Sequence, residues 1–190
     1  MGGKHRGRRL TAPEGLTLRP TADRTREAVF NILTQGKLEW RGGAGAPGDS
    51  LAGIRVLDAF AGTGALGLEA LSRGAGQVTF MENQAASLTA CRNNIHALGE
   101  EARAAILACD VLRPPRAPEP CALVLMDPPY NQDLAPPALR ALVAAGWLTP
   151  GALVTVELMA KEPFTPPEGF EVLDERKYGK ARVVFLLAPD

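Results

Sequence analysis

The pattern of apolar and polar positions after residue 50 alternates between two periods. Short apolar runs bounded by glycine, proline or polar residues predict strands at residues 54–59, 77–81, 104–108, 122–126 and 152–158. Helical spacing of the apolar residues predicts helices at residues 65–73, 84–98 and 134–145. The run 122–126 is wholly apolar, which indicates a central strand covered on both faces. Together these elements predict an α/β fold with a doubly wound, mostly parallel sheet.

The two ends of the chain follow other patterns. The first 20 residues lack apolar periodicity and predict an irregular or extended arm. Residues 22–34 carry an apolar stripe at helical spacing, which predicts an amphipathic helix with Thr21 as its N-cap. Residues 170–177 and 181–188 flank a short glycine-containing turn and predict a C-terminal antiparallel hairpin.

Charge is divided unevenly along the chain although the net charge is zero. Residues 1–41 hold nine Lys/Arg and four Asp/Glu, whereas the remainder holds twelve and seventeen. A basic end on an acidic body favours a polyanionic partner, and a solvated basic tail is the alternative. No apolar run has the length of a membrane span, and the three cysteines lack metal-ligand spacing. We therefore expect a cytoplasmic protein without membrane association, a bound metal or a catalytic cysteine.

A glycine-rich loop follows the first predicted strand of the sheet. Gly62, Gly64 and Gly67 form the pattern G-x-G-x-x-G, and Glu82 follows 20 residues after Gly62. This spacing is typical of dinucleotide binding, so an NAD site is one interpretation. Asp58 argues against it, because a carboxylate directly before the loop would repel a pyrophosphate.

A cationic ligand without phosphates fits the same residues better. S-adenosylmethionine carries a sulfonium, an ammonium and a ribose diol. We expect Asp58 near its methionine end, Glu82 on the ribose hydroxyls and Asp110 on the adenine amine, with a turn cap as the alternative for Asp110. The predicted cofactor set from this loop and the following strand ends is Asp58, Ala59, Phe60, Gly62, Thr63, Gly64, Glu82, Asn83, Asp110, Val111 and Asp127.

The tetrapeptide Asp127-Pro128-Pro129-Tyr130 ends the apolar run 122–126, at the edge where ligands bind in such sheets. Two prolines stiffen the backbone, so the Asp127 carboxylate and the Pro128 carbonyl form a rigid pair of acceptors. Such a pair can grip the two hydrogens of an exocyclic amine and direct its lone pair at a methyl donor. Tyr130 can stack on a base rotated out of its helix. The alternative is a simple turn, since Asp-Pro sequences favour turns.

These motifs resemble the RsmD family of bacterial 16S ribosomal RNA guanine-N2 methyltransferases. The resemblance spans nearly the whole chain, and its specific segments are residues 6–10, 18–31, 57–75, 127–130, 146–148 and 178–179. It implies a class I methyltransferase fold with S-adenosylmethionine as donor, S-adenosylhomocysteine as product and no metal. It also implies a guanine N2 acceptor in 16S ribosomal RNA, within an assembled or assembling small subunit.

The resemblance further assigns roles to the N-terminal part of the chain. It implies that Thr21 and Arg24 lie at the cofactor and that Arg19 lies near RNA. Arg6, Arg8 and Arg9 are then expected to bind phosphates without reading sequence. Residues 1–35 form an arm and helix over the site, residues 36–53 a flexible loop, and residues 54–190 the methyltransferase domain. We expect the protein to act as a monomer.

Other functions remain open from the residues alone. The tetrapeptide suits any exocyclic amine, so N6 of adenine or N4 of cytosine in DNA or another RNA is an alternative acceptor. A non-catalytic RNA-binding factor in ribosome assembly is a second alternative, although the intact Asp127 and glycine loop disfavour it. The resemblance alone favours guanine.

Overall fold

A computed structural model describes residues 1–12, 20–34, 38, 40 and 51–190, with backbone only for residues 20–22. Its helices are α1 (Pro20–Thr34), α2 (Ala65–Ser72), α3 (Ala85–Leu98) and α4 (Ala135–Ala144), and short 3₁₀ turns span Gly3–His5 and Glu101–Arg103. Its strands are β1 (Arg55–Ala59), β2 (Gln77–Glu82), β3 (Ala104–Ala108), β4 (Cys121–Met126), β5 (Leu148–Met159), β6 (Glu171–Tyr178) and β7 (Ala181–Leu187).

The strands form one seven-stranded sheet in the order β3-β2-β1-β4-β5-β7-β6. Strands β1 to β5 are parallel, and β7 lies antiparallel between β5 and β6. The strand order reverses between β1 and β4, and ligands bind in the crevice at the carboxyl ends of strands at such a point. The predicted doubly wound α/β fold of a class I methyltransferase, with its C-terminal hairpin, is confirmed.

Two apolar layers cover the sheet. On one face Phe30 of α1 and Leu68 of α2 pack with Phe80 of the sheet, and all three are fully buried. On the other face Leu139 of α4 packs with Trp147 and with the central strands. Strand β4 lies between these layers and is apolar throughout, so the prediction that it is a central strand is confirmed. The layers hold the carboxyl ends of β1 and β4 at fixed positions next to each other.

Two local predictions are wrong. Helix α1 begins at Pro20, so Thr21 lies inside its first turn and is not the N-cap. Proline suits the first helical position because its missing N–H would have no helical partner there. Strand β5 begins at Leu148 rather than at residue 152, because Leu148 pairs with Cys121 ahead of a register shift.

The N-terminal residues pack on the body of the protein. The backbone N–H of His5 donates to Ser72 Oγ at 2.8 Å, and that hydroxyl donates to the Gly2 carbonyl at 2.5 Å. His5 also contacts the buried carboxylate of Glu100 at 2.6 Å. Burial opposes the ionised form of Glu100, but hydrogen bonds from His5, Arg103 and Lys4 lower its pKa. The expected irregular arm is therefore docked over residues 1–12.

The predicted glycine-rich loop and the expected lack of a membrane-spanning helix can be compared with the structure only where residues are described. Residues 41–50, the centre of the predicted glycine-rich loop, lie outside the described residues. No helix in the described segments is both long and apolar enough to cross a bilayer.

Candidate active site

The glycine loop joins β1 to α2 at the carboxyl edge of the sheet. Gly62 and Gly64 adopt φ angles of +53° and +81°, which a side chain would strain. Phe60 has a φ of +63° although it is not glycine. The Ala61 N–H donates to the Met81 carbonyl at 2.9 Å, which ties the loop to the end of β2. Non-glycine residues with positive φ persist where the surroundings hold them, and they concentrate at ligand sites.

Asp58, near the end of β1, binds the start of helix α2 that follows the glycine loop. It is 1% exposed, and its Oδ2 accepts a 2.7 Å hydrogen bond from the Gly67 N–H in the first turn of α2. Burial raises the pKa of Asp58 well above its usual value, the Gly67 bond opposes this, and the charges of Asp127 and Glu82 add to it. The folded protein therefore favours protonated Asp58, and its ionised form costs stability as the pH rises above 3.8. A nearby cation would offset that cost.

Glu82, at the end of β2, binds the backbone of the glycine loop. Its Oε2 accepts a 2.8 Å hydrogen bond from the Gly62 N–H, and its Oε1 accepts 2.8 Å bonds from the N–H groups of Asn83 and Gln84. These three bonds fix the carboxylate at the end of β2. A carboxylate offers about four acceptor positions, so Glu82 retains capacity for a ribose hydroxyl.

Asp110 follows β3 and caps a turn. Its Oδ1 accepts a 2.9 Å hydrogen bond from the Leu112 N–H, and its carbonyl accepts from the Arg113 N–H at the same distance. Val111 between them is buried, whereas Asp110 is exposed. One oxygen of the Asp110 carboxylate therefore caps the turn, as the alternative interpretation expected. Contact between Asp110 and an adenine amine stays a prediction.

The tetrapeptide lies at the end of β4, next to the glycine loop. Pro128 is buried, whereas Asp127 is exposed to solvent at the carboxyl edge of the sheet. Surrounding protein atoms, followed by the charge of Glu157, raise the pKa of Asp127 to about 8. A ligand can therefore reach Asp127 from solvent. The ionised form of its carboxylate is nevertheless unfavourable, because few polar neighbours stabilise the charge. The Tyr130 hydroxyl donates a 2.5 Å hydrogen bond to Glu157 Oε1.

An open groove of about 810 Å³ adjoins the tetrapeptide. Its lining includes Asn131, Asp133, Arg140 and Phe164. The groove offers room for a group larger than a single amine next to Asn131, which follows the tetrapeptide.

Four carboxylates thus meet at the ends of four neighbouring strands: Asp58, Glu82, Asp127 and Glu157. The charges of Asp127 and Glu82 raise the pKa of Asp58, and the charge of Glu157 raises the pKa of Asp127. Among the described residues none of the four forms a salt bridge with lysine or arginine. In the described part of the chain, no group of three or more His, Cys, Asp or Glu side chains is arranged so that it could hold a metal ion. The chemistry of this donor set fits an organic cation.

The basic residues of the arm lie elsewhere. Arg8 donates to the Ala97 carbonyl at 2.8 Å, beside the C-terminal end of α3 and hence at the amino edge of the sheet. Arg6 and Arg9 are exposed in the same segment. The structure does not bring these three arginines to the four carboxylates, which lie at the carboxyl edge.

The segment before α1 is only partly described. Arg19 lies outside the described residues, and of Thr21 only the backbone is described. Arg24 is exposed on α1. Within the described residues no contact joins Arg24 to the four carboxylates, so the expected cofactor contacts of Thr21 and Arg24 stay predictions.

Two residues of the site were missed by sequence reasoning. Asn94 in α3 donates from Nδ2 to the carbonyls of Thr63 and Thr11, both at 3.0 Å, and so joins the arm to the glycine loop. Glu157 reaches Tyr130 from β5. The signal for Glu157 was a lone acid in the otherwise uncharged segment Leu148–Met159. A buried asparagine in a helix left no comparable pattern.

Comparisons with known proteins find similar sequences and structures over most of the chain. The family described as conserved hypothetical protein 95 matches residues 1–187. Ribosomal RNA small subunit methyltransferase D of Haemophilus influenzae is 33% identical over 183 residues, covering 94% of this chain and 88% of that protein. The protein of the same name from Escherichia coli K12 is 35% identical over 157 residues, covering 83% and 72%. A solved Escherichia coli structure described as a candidate methyltransferase, yhhF, is 31% identical, with a TM-score of 0.81 and coverage of 100% and 96%.

Proposed function

Because the chain belongs to the conserved hypothetical protein 95 family and is similar over most of its length to proteins named ribosomal RNA small subunit methyltransferase D, we propose that it methylates ribosomal RNA of the small subunit. In finer detail we propose that S-adenosylmethionine is the donor and that the N2 amine of one guanine in 16S ribosomal RNA is the acceptor. The observation that carries this proposal is the position of Asp127, which is exposed to solvent at the end of β4, beside the glycine loop that follows β1.

The choice of donor rests on the four carboxylates of the pocket. Asp58, Glu82, Asp127 and Glu157 form no salt bridge within the described residues, so a ligand cation would neutralise charge that the protein leaves uncompensated. A pyrophosphate would add negative charge to the same pocket, which disfavours NAD. S-adenosylmethionine would supply an electrophilic methyl group, whose bond to sulfur breaks as the bond to nitrogen forms.

The role of Asp127 follows from the chemistry of an aromatic amine. The nitrogen lone pair is delocalised into the base, so the amine is a weak nucleophile. Two acceptors, the Asp127 carboxylate and the Pro128 carbonyl, would hold its two hydrogens and keep the lone pair directed out of the ring plane. After transfer the nitrogen carries a surplus proton. Because the pKa of Asp127 is raised to about 8, its carboxylate is suited to accept that proton.

The remaining residues complete the acceptor site. Tyr130 would stack on the flipped guanine, with its hydroxyl held by Glu157. Arg6 and Arg9 would bind phosphates away from the acceptor nucleotide, because their segment lies at the other edge of the sheet. We expect a monomer in the cytoplasm that acts on an assembled or assembling small subunit.

Substitution of Asp127 tests the reaction. Small subunits from a strain lacking this gene are treated with the protein and labelled S-adenosylmethionine, and the RNA is digested to nucleosides for mass spectrometry and mapped. Asp127→Ala should lower the methylation rate by about 10²-fold or more, as the loss of a positioned polar partner does in other active sites. Cofactor affinity, measured by titration calorimetry, should be largely kept.

Glu171→Ala is the matched control, because it removes an exposed carboxylate from the distant edge strand β6. This control should methylate at the wild-type rate. Undiminished methylation by Asp127→Ala would overturn the mechanism. A labelled adenosine or cytidine in the digest would replace guanine by one of the alternative acceptors, and no label with intact small subunits would favour the non-catalytic alternative.

A further inference from the structure

Glu157 stands beside Asp127 because of the strand register. Strands β4 and β5 are parallel, and Met126 pairs with Val156. The next positions along the two strands, Asp127 and Glu157, are therefore neighbours at the carboxyl edge. Glu157 is the only charged residue in the segment Leu148–Met159. An acid in a mostly buried strand needs a reason other than packing.

The hydrogen bond from Tyr130 leaves part of the Glu157 carboxylate for another partner. The Tyr130 hydroxyl donates to Oε1, and a carboxylate has a second oxygen that accepts hydrogen bonds equally well. The Glu157 side chain is half-buried rather than enclosed, so a ligand held at Asp127 can reach it. The strand register thus places two acceptors at neighbouring positions at the carboxyl edge of the sheet.

The Watson–Crick edges of the bases differ at the atom next to the amine. Guanine carries an N1–H donor beside its N2 amine, so its edge presents a row of three hydrogens. Adenine and cytosine carry an unprotonated ring nitrogen, N1 or N3, beside their amines. A second carboxylate next to the amine would bind the ring hydrogen of guanine and would repel the lone pair of the other two bases.

We propose that Glu157 selects guanine by accepting a hydrogen bond from ring N1–H while Asp127 and the Pro128 carbonyl hold the N2 amine. This role rests on the proposed methyl transfer at Asp127, and it gives the structure a reason to prefer guanine that the tetrapeptide alone lacks.

The electrostatics of the pair agree with this role. Burial, opposed by the hydrogen bond from Tyr130, raises the pKa of Glu157, and the neighbouring charge contributes to the raised pKa of Asp127. The free pair therefore resists full ionisation. The N1–H and one hydrogen of the N2 amine stabilise the ionised pair, whereas the ring lone pair of adenine or cytosine does not. Tyr130, which stabilises ionised Glu157, keeps that carboxylate available as an acceptor.

The test compares two acceptors that share the amine at C2 but differ at N1 and at C6, where 2-aminopurine lacks the guanine oxygen; the Glu157 variant below isolates the contribution of N1. The acceptor guanosine, located by the mapping described above, is replaced with 2-aminopurine riboside by ligating a synthetic fragment into the ribosomal RNA. 2-Aminopurine keeps the amine at C2 but has no hydrogen on N1. We expect wild-type kcat/KM to fall by about 10-fold or more on 2-aminopurine, the usual discrimination of a paired base contact.

Glu157→Gln is the informative variant. Its amide oxygen still accepts from Tyr130, and its amide hydrogens can donate to an unprotonated N1. We expect its kcat/KM on guanosine to fall by about 10-fold and the guanosine to 2-aminopurine ratio to come near one. Glu171→Gln, at an exposed position on β6, should leave both rates unchanged.

Tyr130→Phe distinguishes two possible roles of Glu157: a direct hydrogen bond to the base, and a hydrogen bond that only holds Tyr130 in place. It removes the hydrogen bond to Glu157 but keeps the carboxylate. If Glu157 contacts N1–H, this variant is slower on both acceptors and still prefers guanosine. Equal wild-type rates on the two acceptors, or equal losses on both in Glu157→Gln, would overturn the proposal. Failure of the wild type to methylate guanosine at all would instead overturn the proposed function.

Discussion

A single buried amide, that of Asn94, links the N-terminal arm to the glycine loop. Its Oδ1 accepts 2.8 Å hydrogen bonds from the N–H and the hydroxyl of Thr11. Its Nδ2 donates 3.0 Å bonds to the carbonyls of Thr11 and Thr63. Asn94 is 2% exposed, so water cannot replace these bonds fully after truncation. We predict that Asn94→Ala loosens both segments together.

The magnitude follows from the environment of each bond. The bond to the Thr63 carbonyl is buried, and an unsatisfied buried acceptor costs about 1–3 kcal/mol. The three bonds to Thr11 are only partly buried, so water offsets part of their loss. We therefore expect Asn94→Ala to lower the free energy of unfolding by about 2–4 kcal/mol, which for a domain of this size lowers Tm by about 5–15 °C.

The measurement combines urea denaturation with titration calorimetry of S-adenosylmethionine. Asn93→Ala is the matched control, since the same residue type stands one position earlier in α3 and is exposed. We expect the control to unfold like the wild type. We expect Asn94→Ala to lose stability and also cofactor affinity, because the Thr63 carbonyl helps to fix the loop.

Two outcomes would refute this reasoning. If Asn94→Ala and Asn93→Ala unfold at the same urea concentration, the four hydrogen bonds contribute nothing that water does not replace. If Asn94→Ala loses stability but binds the cofactor as tightly as the wild type, the arm is attached through Asn94 but does not support the loop.

Three other substitutions test the glycine loop and Asp58. Gly67→Ala should lower the free energy of unfolding by about 1–3 kcal/mol in urea denaturation, because its Cβ would lie 2.4 Å from Phe80 Cε1. Gly62→Ala meets nothing within 4 Å, so apart from strain at its φ of +53° its main effect should be weaker cofactor binding by calorimetry, and unchanged affinity would contradict this. Asp58→Asn should raise the free energy of unfolding, with a gain that grows as the pH rises above 3.8, because the pKa of Asp58 is raised in the folded protein. Denaturation at several pH values measures this gain, and a gain that shrinks with rising pH would contradict the burial argument.

The sheet was predictable because its signals are local. The apolar run of β4 and the turn at Gly179 each lie within a few residues of the element that they define. The docking of the arm was not predictable, because Gly2 and His5 bind Ser72 and Glu100, which are 67 to 95 residues away in the chain. Such pairings depend on the packing of α2 and α3, which no local pattern encodes.

The residues of the candidate site likewise fall into those that a local motif predicted and those that only the folded structure revealed. Gly62, Asp58 and Asp127 were predicted because each belongs to a short motif with a chemical reason for its spacing. Glu157 and Asn94 were missed because each acts through a partner brought near by strand register or helix packing. The turn-capping bond of Asp110 uses a residue two positions away, which the sequence could suggest only as an alternative.

The charges of Asp58 and Asp127 are difficult to explain as supports of the fold. Asp58 could accept the Gly67 N–H equally well as an asparagine, and a neutral residue there would avoid the burial that raises its pKa. Asp127 accepts no hydrogen bond from the described residues that would require its charge. The shared property of Asp58 and Asp127 is an ionised form made unfavourable by burial and by neighbouring acids. A cation bound next to Asp58 removes that penalty there, so stability given up in the free protein becomes affinity for the ligand. Asp58→Asn should therefore be at least as stable as the wild type and bind the cation less tightly, a combination that a purely structural role would not produce.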